Sequence, residues 1–167
     1  MLDEPFTSDL PWELRCERGR EAEDIIVPMF LKAGWSVLPF GATRAGSPVP
    51  PLLIPGGAVR PADCACWHPD GRRFYVVEVK NKTEMRALHG YGLDRRGDDD
   101  DPWQQLRRHD AKAGPVLLVI WDSEKAKALA ATVSMLRANG GPKVTSNGAY
   151  WWWETSVFLP LETLLKM

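Results

Sequence analysis

The 167 residues carry a formal net charge of −1, with 44% hydrophobic and 26% charged side chains; this is the balance of one globular domain with a real core, and it excludes a disordered or fibrous chain. A near-neutral chain has no global electrostatic footprint for nucleic acid, so any surface for it must be a local basic face. No apolar run is long enough to span a membrane, no basic-then-apolar leader opens the chain, and three cysteines, an odd number, fit a reducing, cytoplasmic setting better than a disulfide scaffold.

Residues 1 to 8 read as a loose lead-in. Thr7, Ser8 and Asp9 are candidate N-caps, and Pro11 suits a first helical turn. A helical pattern then runs to about Ala33 and stops at Gly34. Pro28 interrupts it and predicts a kink or a split. Ala22, Ile26, Met29, Phe30 and Ala33 form its apolar stripe. Glu21, Asp24 and Lys32 lie away from that stripe, whereas Glu23 sits at its edge. By itself Glu23 reads either as a solvated rim acid or as an acid aimed past a sheet edge. Trp35 to Phe40 is the first predicted strand. The Gly- and Pro-dense residues 41 to 57 follow, a long loop that either packs Leu52, Leu53 and Ile54 on the core or contacts phosphate through Thr43, Arg44 and Ser47.

Ala58 to Trp67 is the second predicted strand and Phe74 to Lys80 the third, joined by the turn cluster Pro69-Asp70-Gly71. Alternation puts Phe74, Val76, Glu78 and Lys80 on one face. If His68 pairs with Arg73, Asp63 falls opposite Glu78. Adjacent carboxylates repel, and a cation relieves them. Hard ions such as Mg²⁺ take one or two carboxylates plus water and phosphate, and Lys80 is close enough in sequence to touch such a water or phosphate. Cys64, Cys66 and His68 share the other face, but a structural zinc site needs four ligands, so buried thiols are the simpler reading.

Beyond Lys80, Lys82, Arg86, Arg95 and Arg96 surround Tyr91 and could track a phosphate backbone. Asp98 to Asp101 form an acidic run, read as a solvated loop that feeds a helix. Asp101 is its N-cap, Pro102 its first residue, and Gln104 completes the cap pattern. This helix ends before Gly114-Pro115. Pro115 to Trp121 read as an apolar strand buried on both faces through Val116 to Ile120. Ser123 is expected to cap a helix that reaches about Ala138. Ala149 to Leu159 is the last predicted strand, and Leu161, Leu164 and Leu165 predict a short terminal helix. Tyr150-Trp151-Trp152-Trp153 places indoles on both faces of that strand. The reading preferred for them is a homodimer contact, with base stacking as the alternative.

Pro61-Ala62-Asp63, followed after a short hairpin by Glu78-Val79-Lys80, resembles the signature of the PD-(D/E)XK nuclease superfamily. Gly19-Arg20-Glu21-Ala22-Glu23 and Phe30-Leu31-Lys32-Ala33-Gly34-Trp35-Ser36-Val37 resemble the opening of archaeal-type Holliday-junction resolvases, in which a Gly, a catalytic Glu four residues on, an amphipathic helix and a Gly-aromatic-x-Val strand start succeed one another. Glu23 matches that Glu by its spacing from Gly19 and Gly34. Pro28 departs from the pattern. Gly92-Leu93-Asp94 resembles a Gly-Ile-Asp-like segment of small phage nucleases of the same superfamily.

The resemblance implies an α/β, restriction-endonuclease-like αβββαβ core with a mixed central sheet flanked by helices. It implies one domain over residues 1–167, with the motif-bearing core at about 19–121. It implies an Mg²⁺- or Mn²⁺-dependent endonuclease that hydrolyses DNA phosphodiesters and selects DNA structure, with phage or mobile-element biology, in a bacterial, archaeal or phage-infected cytoplasm. Asp63, Glu78 and the Val79 carbonyl would hold the metal, Glu23 would ligate it directly or through water, and Lys80 would orient the attacking water. Arg44, Ser47, Lys82, Arg86, and Gln104 or Gln105 would contact the nucleic acid. A non-catalytic nucleic-acid-binding module and a protein-interaction domain on the same fold are the alternatives.

Overall fold

Helix α1 (Trp12–Lys32) opens the part of the chain that the structure, a computed structural model, describes: residues 11–40, 52–55, 57–59 and 62–167. Pro11 occupies its N-cap position without a side-chain cap, and the predicted caps Thr7, Ser8 and Asp9 lie outside the described residues. Pro28 stands inside the helix without dividing it. The reason is the stripe: Ala22, Ile26 and Phe30 are each fully buried, so packing holds the turns on both sides of the proline against one sheet. The chain leaves the helix through Gly34 at φ 87°.

The remaining elements are β1 (Ser36–Pro39), β2 (Leu52–Ile54), β3 (Gly57–Val59), β4 (Cys64–Trp67), β5 (Phe74–Asn81), β6 (Gly90–Asp94), α2 (Pro102–Lys112), β7 (Val116–Asp122), β8 (Lys127–Thr132), α3 (Val133–Arg137), β9 (Lys143–Val144), β10 (Tyr150–Glu154), β11 (Leu159–Pro160) and α4 (Leu161–Lys166). Among the described residues a six-stranded sheet runs in the order β1-β4-β5-β7-β8-β11. Its β5–β7 pair is parallel and its other pairs are antiparallel, which makes it the expected mixed sheet. The parallel pair needs a crossover, and β6 with α2 supplies it. A three-stranded sheet, β6-β10-β9, and the β2–β3 ladder stand apart from the main sheet.

Two apolar layers follow from strand alternation. Val77, Val79, Leu117 and Val119 pack with α1 and with Leu161, Leu164 and Leu165 of α4. Val76, Val116, Leu118 and Ile120 pack under α2, α3 and the small sheet. Residues 116–120 of β7 are all at most 1% exposed, as a strand covered on both faces must be.

Two predicted elements are different in the fold. The segment after Ser123 is a strand, not a long helix. Asp122 is fully buried and accepts the Lys125 amide at 3.2 Å, Ala126 turns at φ 48°, and β8 returns along β7 from Asp122↔Lys127 to Leu117↔Thr132. The alanines have helical propensity, but the open edge of β7 offers a full ladder of hydrogen bonds and wins. Only Val133–Arg137 is helical, capped by Thr132 Oγ1, which accepts the Met135 amide at 3.2 Å. The long last strand is divided as well, with a 3₁₀ turn at Thr155–Val157 between β10 and β11.

The indoles of β10 are used inside the chain. Trp153 is buried and donates Nε1–H to the Leu136 carbonyl at 2.8 Å. Trp152 lies over Gly90, where an added Cβ would come within 2.9 Å of its ring, and carries the Lys143 ammonium 4.9 Å from its centroid. Trp151 donates to Asp101 at 2.9 Å.

Asp101 is the polar hub of this layer. It is 1% exposed, caps α2 through the Gln104 amide at 3.1 Å, and also accepts the Arg96 amide at 2.8 Å. Asp101→Ala removes the cap and leaves the half-buried Arg96 amide and Trp151 indole unmet, so it is expected to cost about 1–3 kcal/mol. Urea denaturation would show this as a lower midpoint at unchanged slope; a loss below about 0.5 kcal/mol would contradict the role.

Candidate active site

The β4–β5 hairpin closes as its turn residues require. Asp70 Oδ1 accepts the Arg72 amide at 2.9 Å, Gly71 takes φ 69°, and His68 donates its amide to the Arg73 carbonyl at 2.9 Å. The register is the predicted one, running from Trp67↔Phe74 to Cys64↔Val77. One more step would put Asp63 opposite Glu78, but the ladder breaks there. The Asp63 amide donates to the Val77 carbonyl at 3.1 Å, a carbonyl that already faces Cys64. Two residues thus oppose one, as in a bulge. The next amide of β5, that of Val79, goes to the Asp63 side chain, with Oδ2 at 2.7 Å. A carboxylate stands where a strand carbonyl would be.

That substitution holds Asp63 at the break with 8% exposure. Burial pushes its carboxyl pKa well above the usual range, and the Glu78 charge adds to this. Lys80 opposes the shift, Glu23 reinforces it, and the Val79 amide lowers it. The strongest causes are therefore loss of water and a second carboxylate. Glu78 and Lys80 share the face of Val76, on the α2 side of the sheet, and their side chains meet at 2.6 Å. Glu23 is half-buried on α1, which packs on the other face. Its charge nevertheless acts on both Asp63 and Cys64, so it approaches the break from the opposite layer. Glu23, Asp63, Glu78 and Lys80 thus gather around the end of β5.

Asn81 is a residue that sequence reading misses. Its Nδ2 donates to the Arg18 carbonyl at 3.2 Å and ties α1 to the end of β5. Its only signal is its place as the residue after Lys80.

The remaining residues singled out in the sequence do not join this group, and most are engaged locally. Arg44 and Ser47 lie outside the described residues. Lys82 is 16% exposed and paired with Asp94 at 3.6 Å; burial pushes its ammonium pKa down, and Asp94 opposes that. Arg86 is 83% exposed and meets Glu124 at 3.2 Å. Gln104 is exposed and accepts Arg107 Nη1–H at 3.4 Å, while Gln105 is half-buried. The Cys64 and Cys66 thiols are buried 3.8 Å apart, whereas the His68 ring packs edge-on against Trp35 at 5.0 Å.

Among the described residues no three Asp, Glu, His or Cys side chains converge into a ready metal cluster. The donor set nonetheless fits a hard cation. Asp63 and Glu78 crowd each other, Glu23 adds to the negative field, and Lys80 already clasps Glu78. A divalent ion with oxygen preference relieves that excess of negative charge.

No protein-family model matches the sequence, and no curated protein matches it. Solved structures do match the fold. Holliday junction resolvase Hjc of the archaeal hyperthermophile Archaeoglobus fulgidus superposes with a TM-score of 0.50 over 88% of this chain and 97% of its own, at 17% identity. D212, a nuclease from a fusselovirus, gives a TM-score of 0.53 over 94% of this chain and 92% of its own, at 9% identity. The chain has the restriction-endonuclease-like fold. At these identities the likeness is one of architecture. In this fold the break beside β4 and the end of β5 lie next to each other in the central sheet, where Glu78 meets Lys80 and the charges of Glu78, Lys80 and Glu23 act on Asp63.

Charge crowding at the break costs the metal-free chain stability. Asp63→Asn keeps an acceptor for the Val79 amide and removes one of the repelling charges. It is expected to raise unfolding free energy at neutral pH by about 1 kcal/mol in EDTA. Paired denaturation curves of parent and variant would measure this. A destabilised variant would mean that the carboxylates do not crowd each other as described.

Proposed function

We propose that the chain is a metal-dependent nuclease that hydrolyses DNA phosphodiester bonds. The observation that carries this reading is the gathering of Asp63, Glu78, Lys80 and Glu23 at a break in a restriction-endonuclease-like sheet. The buried Val79 amide needs only a neutral acceptor, which an Asn would supply, so a second repelling charge beside Glu78 has no structural purpose. They make sense as donors to a cation and, through it, to a phosphate.

Asp63 and Glu78, with the Val79 carbonyl, would hold Mg²⁺ or Mn²⁺, and Glu23 would join directly or through water. When bound, such an ion supplies a Lewis acid and lowers the pKa of a water. Lys80 would act by leaving its ion pair with Glu78. Released from Glu78, its ammonium would orient the attacking water and stabilise negative charge developing on the phosphate, and only as the neutral amine would it take the water's proton. The Asp63–Val79 bond keeps the carboxylate from swinging away, and the Asn81–Arg18 bond keeps α1, and with it Glu23, beside the strand end.

The Holliday-junction resolvase among structures of the same fold, together with the resolvase-like opening around Gly19 and Glu23, supports a structure-selective endonuclease, with the four-way junction as the first substrate to try. The whole described chain reads as one nuclease-like domain, to which the small β6-β10-β9 sheet is an addition. A non-catalytic binding module on this fold is the second reading, and the intact carboxylate pair weighs against it. Among the described residues no helix is long and apolar enough to cross a membrane.

The decisive experiment is cleavage of a labelled panel (four-way junction, flap, linear duplex, single strand, RNA) in Mg²⁺, Mn²⁺ or EDTA. Glu78→Ala and Lys80→Ala are run beside the parent. The expectation is metal-dependent cutting of DNA that falls by about 10²-fold or more in each variant. No cutting of any substrate, with binding indifferent to EDTA and to both substitutions, would move the assignment to the non-catalytic module.

A further inference from the structure

A second polar feature stands on the α2 layer, away from the carboxylates. A cleft of about 320 Å³ opens between α2, the 137–142 segment and β10, lined among others by Trp103, Arg107, Arg137, Pro142 and Trp151. Its floor is apolar and its walls are cationic. Arg107 and Arg137 are both exposed, and neither has an ion-pair partner among the described residues. Arg107 is oriented by Gln104, whose Oε1 accepts its Nη1–H at 3.4 Å. Outside the cleft, the Arg95 guanidinium lies 5.1 Å over the Trp151 ring.

The acids that could neutralise this wall are turned elsewhere. Asp101 lies beneath it, 1% exposed and engaged with two main-chain amides and the Trp151 indole. Asp99 faces Arg108 rather than Arg107, at 3.9 Å. The rim is shaped by backbone that few side chains tolerate: Asn139, Gly140 and Gly141 follow one another at φ 55°, 91° and 78°. An added Cβ at Gly140 or Gly141 would meet nothing within 4 Å, so this rim is open to a ligand rather than packed.

Topology sets where the cleft points. β5 and β7 are parallel, so α2 between them runs back against both strands. The Gln104 end of α2 therefore lies at the end of the sheet where β5 carries Glu78 and Lys80, and in the same layer.

We infer that this cleft is an accessory nucleic-acid subsite: Arg107 and Arg137 hold the phosphates of one strand, while the attached sugar or base rests on the Trp151–Pro142 floor. The ligand class follows from the chemistry. Guanidinium forks match phosphate oxygens, and an indole beside them accepts a sugar or base face. The inference deepens the nuclease reading by giving a strand a second hold on the same layer, and it takes only the class of polymer from that reading.

The test is fluorescence anisotropy of a labelled oligothymidylate of ~12 nucleotides, a length within the range of single-strand sites, titrated with the full chain in EDTA so that metal-dependent cutting cannot intervene. Arg107→Ala/Arg137→Ala is expected to weaken binding about tenfold near ~0.1 M salt and to lower the log–log salt slope by about 1.4, the share of two single-strand phosphate contacts. Arg107→Lys/Arg137→Lys keeps the charge and should restore most of the slope. Inorganic phosphate should compete only weakly, because it lacks the sugar and base; competition as strong as that of unlabelled oligonucleotide would reduce the cleft to a simple anion site and overturn the inference. So would a double alanine variant that keeps its circular dichroism and midpoint yet binds with the parent's affinity and slope, or a parent that does not bind the oligonucleotide. Cutting without a cleft effect would remove this inference and leave the nuclease reading, and a cleft effect without cutting would do the reverse.

Discussion

The hydrogen bond from the Val79 amide to the Asp63 carboxylate is the interaction on which the candidate site depends. A strand carbonyl in that place would continue the ladder and bury nothing charged. A carboxylate ends the ladder, fixes its own second oxygen in direction, and brings a negative charge against Glu78. The bulge at Asp63 and Cys64 follows from that exchange, while burial and the Glu78 charge raise the carboxyl pKa against the Val79 bond, which lowers it. The cost is a destabilised strand end, which the surrounding sheet tolerates because β5 is paired on both sides, with β4 and with β7.

The two-layer architecture then explains how acids from different elements meet. Alternation along β5 sends Glu78 and Lys80 to the α2 face and Val77 and Val79 to the α1 face. Glu23 belongs to the α1 layer. It influences Asp63 because the bulge lies at a strand end, where the two layers are no longer separated by a continuous sheet. Helix α1 is held to that end by a buried stripe on one side and by the Arg18–Asn81 bond on the other. Pro28 is tolerated for the same reason: tertiary packing, rather than the missing amide, decides the continuity of α1.

Legibility in the sequence follows the kind of force at work. The hairpin register is readable because Pro69-Asp70-Gly71 specifies a turn and β-branched residues flank it, so local chemistry and burial agree. The cap at Asp101 is legible for the same reason. The break at Asp63 is not, since a single side chain competing with a carbonyl leaves no periodic trace. The β8 strand reads as helix because Ala126, Ala128, Ala130 and Ala131 carry local helical preference, while the force that overrides it is the open edge of β7, a non-local partner. The internal contacts of the Trp-rich strand leave no local trace, because Gly90, Leu136 and Asp101, which receive its rings and N–H groups, come from distant parts of the chain.

The near-zero net charge illustrates the same limit of composition. It counts every acid equally, yet Asp63, Asp101 and Asp122 are buried and take up donors inside the fold: a strand amide, a helix terminus with an indole, and the Tyr91 hydroxyl at 2.6 Å. Such acids keep their place in the total, but their oxygens are spent on internal donors and form no ion pair with Arg107 or Arg137. Arg107 and Arg137 stand exposed without an ion-pair partner among the described residues, although the whole chain balances. Electrostatic footprint is thus a property of which charges the fold turns inward, and a chain of net charge −1 can present a cationic cleft without contradiction.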